Sequence, residues 1–258
     1  MKWLTVRLTL CLLIPVLLIT SASATTATPV FAAAASMKFV LQDIAEAFHR
    51  DTGKDIRFSF ASSGNLTRLI QQGAPFQLFF SANTAYAEQL QELKLAQRPK
   101  IVYALGRLAL ITNAASRLSL DGQLLGIQQA LQEHRLQHFA IANPLLAPYG
   151  EAAREALQNL HLWRQLEDKL VLGENAAQAV QFTTAGAAQA GLVAYSLVLS
   201  AKRNNDIRYV LIPQQLHHPL QQTVVLLNSA GVTAREFLRY MQQEKTSTIL
   251  KRYGYIRP

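Results

Sequence analysis

Short apolar runs alternate with helical stripes near the start of the chain, and this alternation restricts the possible folds more than any other feature. Residues 30–34, 56–61 and 77–81 are predicted to be strands, because apolar residues fill each run or alternate along it. Between these runs, apolar residues recur at helical spacing over residues 37–48 and 66–70. A strand–helix–strand–helix–strand order with short connections predicts a parallel sheet with helices on its faces.

The alternation continues after one long apolar stretch, residues 101–112, which is interpreted as a strand that leaves one sheet and enters another. Later strands are predicted at residues 139–142, 191–195, 209–212 and 223–227, and helices at residues 150–160, 177–184, 234–243 and 247–253. This order predicts an α/β protein of two lobes joined by two crossing strands. We place the first lobe at residues 25–107 plus 213–258 and the second at residues 108–212.

The first 24 residues have the features of an export signal. Lys2 and Arg7 precede the apolar residues 8–19, and the small residues of Ala22-Ser23-Ala24 form a cleavage pattern. The apolar run is shorter than the roughly 20 residues that a membrane span needs, which disfavours an uncleaved anchor. We therefore predict a signal peptide that is cleaved after Ala24 and an exported mature protein.

Cysteine content and charge narrow the classes of function. The only cysteine, Cys11, lies inside the predicted signal, so the mature chain must rely on its core rather than on disulfides. The formal charge is +9, and cleavage of the signal would lower it by two. The basic residues are scattered, with short clusters only at Lys202-Arg203 and Lys251-Arg252. This pattern indicates a surface that mildly favours anions and argues against nucleic-acid binding.

Small or polar residues stand at four predicted strand-to-helix junctions, namely Ser36, Ser63, Tyr149 and the pair Asn175-Ala176. The first turn of a helix has free backbone N–H groups and partial positive charge, so it can bind an anion without a cationic side chain. All four junctions follow strands, and open α/β sheets bind ligands at that edge. Each residue alone is also explained as a helix cap or a packed side chain. Their recurrence, two in each lobe, favours an anion site.

The charged residues near these junctions restrict the kind of anion. No Lys or Arg lies at any of the four, and no Asp lies within the binding turns. The absence of an acceptor carboxylate favours a fully ionised tetrahedral dianion, such as sulfate, molybdate or tungstate. Glu151 and Glu174 lie beside two junctions and are interpreted as first-turn or capping acids that face solvent.

Five segments resemble the periplasmic molybdate-binding proteins of ABC transporters, in the same order and over nearly the whole mature chain. They are VFAAAASMKFVLQDIAEAF, FSFASSGNLTRLIQQGAPFQLFFSAN, IANPLLAPYGEAAREAL, GENAAQAVQF and ILKRYGYI. The resemblance implies a two-lobed periplasmic-binding-protein fold (type II-like), with the ligand cleft between the lobes and two crossing strands as the hinge. It also implies that a monomer captures molybdate or tungstate and delivers it to an inner-membrane ABC permease, without a cofactor and without catalysis.

The resemblance also assigns residues to the oxyanion. Ser36 and Ser63 match ligands from the first lobe, and Tyr149 and Ala176 match ligands from the second. Ala176 would bind through its backbone N–H, and Tyr149 through its backbone, its hydroxyl or both. Asn175 is a weaker candidate. These residues would hold the molybdenum as its oxyanion, and no cation site is expected.

Two positions depart from the pattern of the family. Some members have a tyrosine in the strand that matches GLVAYS, but here Ala194 takes the aligned position and Tyr195 follows it. In a strand, Tyr195 would point to the opposite face. Members that share the APYG turn can have an asparagine where this chain has Met37, which cannot donate a hydrogen bond. Tyr195 and Met37 are therefore weaker candidates for the site, and one ligand contact is expected to be missing.

Other functions are less well supported by the sequence. A binding protein for another tetrahedral oxyanion, such as sulfate, is the alternative. An enzyme with Ser63 as nucleophile lacks the Gly-x-Ser-x-Gly turn and a histidine nearby in the sequence. His134 and His138 have the spacing of a metal pair on one helix face but lack the glutamate of the zinc-protease motif, so a solvated helix face is the preferred interpretation.

Overall fold

The structure is a computed structural model that describes residues 28–201 and 207–258. The predicted signal peptide, with Lys2, Arg7, Cys11 and the cleavage site at Ala24, lies outside the described residues. The Lys202-Arg203 cluster also lies outside them. Within the described part of the chain, no helix is both long enough and apolar enough to cross a bilayer.

Strands and helices alternate along the chain much as predicted. The strands are β1 (Val30–Ala34), β2 (Arg57–Ala61), β3 (Leu78–Ser81), β4 (Ile101–Gly106), β5 (Leu108–Asn113), β6 (Phe139–Ala142), β7 (Leu170–Gly173), β8 (Ala190–Ala194), β9 (Ile207–Leu211) and β10 (Leu220–Leu226). The helices are α1 (Lys38–Thr52), α2 (Ser63–Gln71), α3 (Thr84–Glu92), α4 (Leu125–Gln132), α5 (Pro148–Asn159), α6 (Trp163–Leu166), α7 (Ala176–Thr184), α8 (Tyr195–Ala201), α9 (Val232–Tyr240) and α10 (Glu244–Arg252).

The strands form two five-stranded sheets, which are the centres of two lobes. The first sheet has the order β2-β1-β3-β10-β4, and the second has the order β7-β6-β8-β5-β9. In the first sheet, β1 pairs in parallel with β2 and β3, while β10 runs antiparallel to both of its neighbours. In the second, β6 pairs in parallel with β7 and β8, and β5 is antiparallel to β8 and β9. The predicted two-lobed α/β fold is confirmed.

The chain crosses between the sheets twice. The first crossing divides the predicted strand at residues 101–112 into β4 and β5, with Arg107 between them and one strand in each sheet. The second crossing is residues 212–219, which contain a short 3-10 turn, Gln214–Leu216, between β9 and β10. The strand predicted near residue 223 is β10, which pairs along its length with β3 and β4 and therefore lies in the first sheet.

Each sheet has its own apolar core. The predicted stripe of α1 is buried against the first sheet, where the ring of Phe237 lies 5.4 Å from that of Phe31 and 5.2 Å from that of Phe48. Such aromatic pairs contribute about 0.5–1.5 kcal/mol each beyond the area they bury. The helix ends at Gly53, whose φ of +68° is in the left-handed region that glycine adopts without strain. These aromatic contacts pack α1 and α9 together against β1.

Two sequence-based placements are wrong. Tyr195 was predicted to end a strand, but β8 ends at Ala194 and Tyr195 is the first residue of α8. His134 and His138 do not share a helix face, because α4 ends at Gln132. His134 adopts the left-handed conformation after that end, and the chain turns there to place buried β6 in the second sheet. The hydrophobic pattern around these positions did not reveal that α4 ends at Gln132 or that α8 begins at Tyr195.

Candidate functional site

The starts of four helical segments meet between the two lobes. Ser36 lies in a 3-10 turn, Ala35–Met37, that connects β1 to α1. Ser63 begins α2, Tyr149 is the second residue of α5, and Ala176 begins α7. All four residues line one cavity together with small or apolar neighbours, which are Ala34, Ala35, Ala61, Ser62, Ala82, Ala147 and Pro148. The structure thus brings together the four residues of the predicted site, two from each lobe.

The cavity is too small for an organic ligand, and its lining is uncharged. Its volume is about 10 Å³, close to the room for one water molecule and far below the roughly 300–1,000 Å³ of pockets for organic ligands. No residue that lines it carries a formal charge. A larger surface depression of about 580 Å³ lies beside His217 and His218, so size alone does not distinguish the helix-start cavity.

Two buried hydroxyl groups at this cavity lack hydrogen-bond partners. Ser36 and Tyr149 are each only 2% exposed, and neither Ser36 Oγ nor the Tyr149 hydroxyl has a partner of ordinary geometry among the described residues. A buried polar group without a partner costs about 1–3 kcal/mol. The Ser36 hydroxyl therefore indicates a ligand as its missing partner, whereas the Tyr149 hydroxyl also lies close enough to the Tyr255 hydroxyl to interact with it.

The tyrosine at the cavity remains a neutral donor over the physiological pH range. Burial raises the pKa of Tyr149 well above its usual value, and the nearby hydroxyls of Tyr255 and Tyr103 raise it further. The Tyr149 hydroxyl points toward the first crossing, since a Cβ added to Gly106 would lie 2.1 Å from it. Tyr149 therefore reaches from α5 of the second lobe to the end of β4 in the first.

Ser63 is a donor to the cavity rather than the cap of α2. The cap is Ser62, whose Oγ accepts a 3.4 Å hydrogen bond from the Asn65 backbone N–H. Ser63 Oγ accepts a hydrogen bond from the Ala82 N–H at 3.1 Å. Because that bond uses an oxygen lone pair, the hydroxyl hydrogen of Ser63 remains available to a ligand.

The two helices of the second lobe present backbone N–H groups. Asn175 caps α7, and its Oδ1 accepts from the N–H groups of Ala177 and Gln178 at 3.0 and 3.2 Å. That cap leaves the N–H of Ala176 at the cavity without an intrahelical acceptor. In α5, Pro148 has no N–H, so the first backbone donor of the helix is the N–H of Tyr149.

The three weaker candidates have other contacts. Asn175 is occupied as the cap of α7 and does not line the cavity. Met37 is buried, and its Sδ accepts a 2.6 Å hydrogen bond from the Tyr103 hydroxyl. The ring of Tyr195 lies 5.9 Å from the Arg107 guanidinium, and burial raises the pKa of Tyr195 to about 12. None of the three side chains is part of the cavity lining.

The family model described as bacterial extracellular solute-binding protein matches residues 30–256. This chain belongs to that family. The molybdate-binding protein ModA of Rhodobacter capsulatus is 32% identical over 228 residues, which cover 87% of this chain and 86% of the relative. The resemblance deduced from the sequence segments is confirmed.

Solved structures of solute-binding proteins also match this chain. The periplasmic molybdate-binding protein of Azotobacter vinelandii matches with a TM-score of 0.81 and 30% identity, over 89% of this chain and 99% of that one. The sulfate-binding protein SubI of Mycobacterium tuberculosis matches with a TM-score of 0.75 but only 11% identity, over 89% of this chain and 86% of that one. At this low identity, the match to the sulfate-binding protein shows only that the two proteins share a fold.

Seven lining residues of this solute-binding protein, Ser62 and Ala82 among them, were not among the predicted site residues. Ala82 lies between β3 and α3, in the sequence Ser81-Ala82-Asn83, and Asn83 caps α3 by accepting from the Tyr86 N–H at 3.4 Å. This is a fifth strand-to-helix junction with small and polar residues. The rule that identified the other four junctions would have found it.

Gly150 sets the position of the helix that carries Tyr149. A Cβ at Gly150 would lie 2.1 Å from the carbonyl oxygen of Ala142, at the end of β6. We expect Gly150→Ala to lower the free energy of unfolding by about 1–3 kcal/mol, because the backbone of β6 or α5 must shift. The urea midpoint of the unliganded protein measures this change. A midpoint that rises, as helix propensity alone would predict for alanine, would contradict the close approach.

Proposed function

We propose that this chain is an exported solute-binding protein that captures molybdate or tungstate between its lobes and delivers it to an ABC permease. One observation carries the proposal: four helix starts, two of them with unpartnered buried hydroxyls, surround a small cavity without formal charge. Relatives named as molybdate-binding proteins, one of them periplasmic, support the choice of ion and compartment. The protein would act as a monomer, without a cofactor and without catalysing a reaction.

The donors at the cavity suit a fully ionised tetrahedral ion. Hydroxyls of Ser36, Ser63 and Tyr149 and the backbone N–H of Ala176 would each face an oxygen of the ion, and the helix starts add partial positive charge. Since the ion takes donors from both lobes, it stabilises the closed arrangement over an open one. The high pKa of Tyr149 keeps its hydroxyl protonated, so this donor is retained at neutral pH.

We place the lobe boundaries where the chain crosses between the sheets, with residues 25–107 plus 213–258 in the first lobe and 108–212 in the second. The sheet order supports this division, since β4 and β5 meet at Arg107 and the second crossing begins after β9. The mature chain would begin at Thr25, after signal cleavage at Ala24, and would meet its permease at the outer face of the inner membrane.

A ligand panel tests the proposed function. The mature chain is stripped of anions, and its thermal unfolding is followed with molybdate, tungstate, sulfate and phosphate. A ligand at about 1,000 times its Kd stabilises the native state by about 4 kcal/mol, which corresponds to roughly 8–16 °C for a chain of this size. We expect this shift with molybdate and tungstate and a much smaller one with sulfate. A dominant shift with sulfate would favour the alternative, and no shift with any anion would refute an oxyanion function.

Ser36→Ala tests whether the anion that stabilises the protein in this panel binds in the cavity. Because Ser36 Oγ has no hydrogen-bond partner among the described residues, its loss leaves no other buried group of that part of the chain unpaired, whereas Ser63→Ala would orphan the Ala82 N–H. We expect a 10- to 150-fold weaker molybdate Kd from the loss of one hydrogen bond to a charged ligand, roughly 1.5–3 kcal/mol. Thr184→Ala, which removes a hydroxyl at the far end of α7, should leave the Kd unchanged.

A further inference from the structure

Two hydroxyl groups outside the cavity hold the turn that carries Ser36. The carbonyl oxygen of Ser36 accepts a 2.7 Å hydrogen bond from Ser196 Oγ and a 3.2 Å bond from the Tyr255 hydroxyl. The Tyr255 hydroxyl also lies 3.2 Å from Ser196 Oγ, so the three groups form one network. All three residues are buried, which removes competition from bulk water and strengthens each bond.

This network joins the two lobes at a residue of the proposed site. Ser196 lies on α8 of the second lobe, whereas Ser36 follows β1 and Tyr255 follows α10, both in the first lobe. Neither Ser196 nor Tyr255 lines the cavity. Ser196 therefore acts on an ion in the cavity through Ser36, whereas the Tyr255 hydroxyl also lies near the Tyr149 hydroxyl and can act through it as well.

Contacts beside Ser196 fix the start of α8 against the first lobe. The ring of Tyr195 packs on Gly254 so closely that a Cβ there would lie 2.4 Å from two ring carbons. Gly254 has a φ of +76°, which glycine adopts without the strain that a side chain would add. The backbone N–H of Tyr195 donates to the carbonyl oxygen of Arg107 at 2.9 Å, in the first crossing. The Ser196 hydroxyl is thus held within reach of Ser36.

We propose that Ser196 and Tyr255 are positioning residues for the oxyanion, which fix the Ser36 turn in its binding geometry and couple it to the second lobe. The inference rests on the proposed function. Because the carbonyl of Ser36 is held from two directions in the closed arrangement, its peptide plane and the direction of its Cβ are fixed where the ion binds. The ion then does not have to order this turn, and such pre-organisation raises affinity.

Ser196→Ala tests the inference, with molybdate as the probe. The Kd and stoichiometry are measured by titration calorimetry, and the dissociation rate by displacement in a stopped-flow instrument. We expect a Kd about 2- to 12-fold weaker, the range that follows from the loss of one ordinary hydrogen bond. The dissociation rate should rise by a similar factor, while one ion still binds per chain. Tyr255→Phe removes the second donor and should weaken binding in the same direction.

Ser200→Ala is the matched control for Ser196→Ala. Ser200 lies one turn further along α8, and its hydroxyl donates to the carbonyl of Ser196 within the same helix at 3.2 Å. We expect it to keep the wild-type Kd. An unchanged Kd and dissociation rate in Ser196→Ala would overturn the inference, as would an equal loss in Ser200→Ala or a lower stoichiometry at unchanged Kd. A wild-type chain that binds no molybdate would instead overturn the proposed function itself.

Discussion

Ala176→Pro should weaken molybdate binding at least 10-fold while the protein remains folded. Proline is favoured at the first position of a helix, and Asn175 before it is already extended, with φ −150° and ψ 173°, as a residue before proline must be. The substitution removes the Ala176 N–H and places a ring methylene at the cavity. Loss of one hydrogen bond to a charged ligand costs roughly 1.5–3 kcal/mol, or 10- to 150-fold in Kd. Titration calorimetry measures the effect.

The matched control for Ala176→Pro is Val232→Pro. Val232 is the first residue of α9, it follows an extended Gly231, and it is largely exposed and far from the cavity lining. Both prolines remove a first-turn N–H and restrict one residue of the unfolded chain in the same way. Only Ala176→Pro should lose affinity. Equal Kd values for the two variants would show that the Ala176 N–H does not bind the ion.

Gly64→Ala should weaken ligand binding about 5- to 150-fold without lowering the stability of the unliganded protein. Its N–H donates to the carbonyl oxygen of Leu146 across the lobes at 2.9 Å, and a Cβ there would lie only 2.9 Å from that oxygen. The added methyl group therefore opposes the closed arrangement, at the roughly 1–3 kcal/mol of an overpacked contact. Separation of the lobes relieves this clash, and alanine is the better helix former within α2.

Two measurements distinguish this effect from a general loss of folding. The molybdate Kd should rise, while the unfolding temperature of the unliganded chain stays the same or increases. The Tyr86 hydroxyl also lies 2.9 Å from the added Cβ, but it is the end of a side chain within the first lobe and can move. Gly231→Ala, whose Cβ would meet Gln77 at an ordinary 3.4 Å, is the control. An unchanged Kd in Gly64→Ala would refute the proposal that the two lobes close over the cavity when the ion binds.

Local chemistry explains why the four residues that the structure brings to one cavity could be proposed from the sequence. The free N–H groups at a helix start favour a small or hydroxyl residue there. This preference can therefore be recognised from a few neighbouring positions in the sequence. The same chemistry made Ser62 and Ser63 hard to distinguish, since either serine can cap a helix. Both serines line the cavity, but the structure assigns the cap to Ser62 through its bond to Asn65, so the hydroxyl hydrogen of Ser63 is not used in capping.

The environments of Met37 and Tyr195 were not predicted, because contacts with residues distant in the sequence determine them. Met37 was judged only by its inability to donate, but its environment is set by Tyr103, 66 positions away in the sequence. The apolar pattern around Tyr195 is compatible with the end of a strand. The start of α8 at that residue depends on its contacts with Arg107 and Gly254, which no local pattern records.

The alternation of strands and helices, the two-lobed α/β fold and the chemistry of the helix starts could be predicted from the sequence, because periodicity and caps depend on neighbours a few residues apart. The structure was needed to show which helix starts meet, and that two of their hydroxyls lack ordinary hydrogen-bond partners among the described residues. It also decided that Ser196 and Tyr255, 160 and 219 positions from Ser36, hold the Ser36 carbonyl. Such contacts arise from the packing of distant segments, and this packing produces no recognisable periodicity or motif in the sequence.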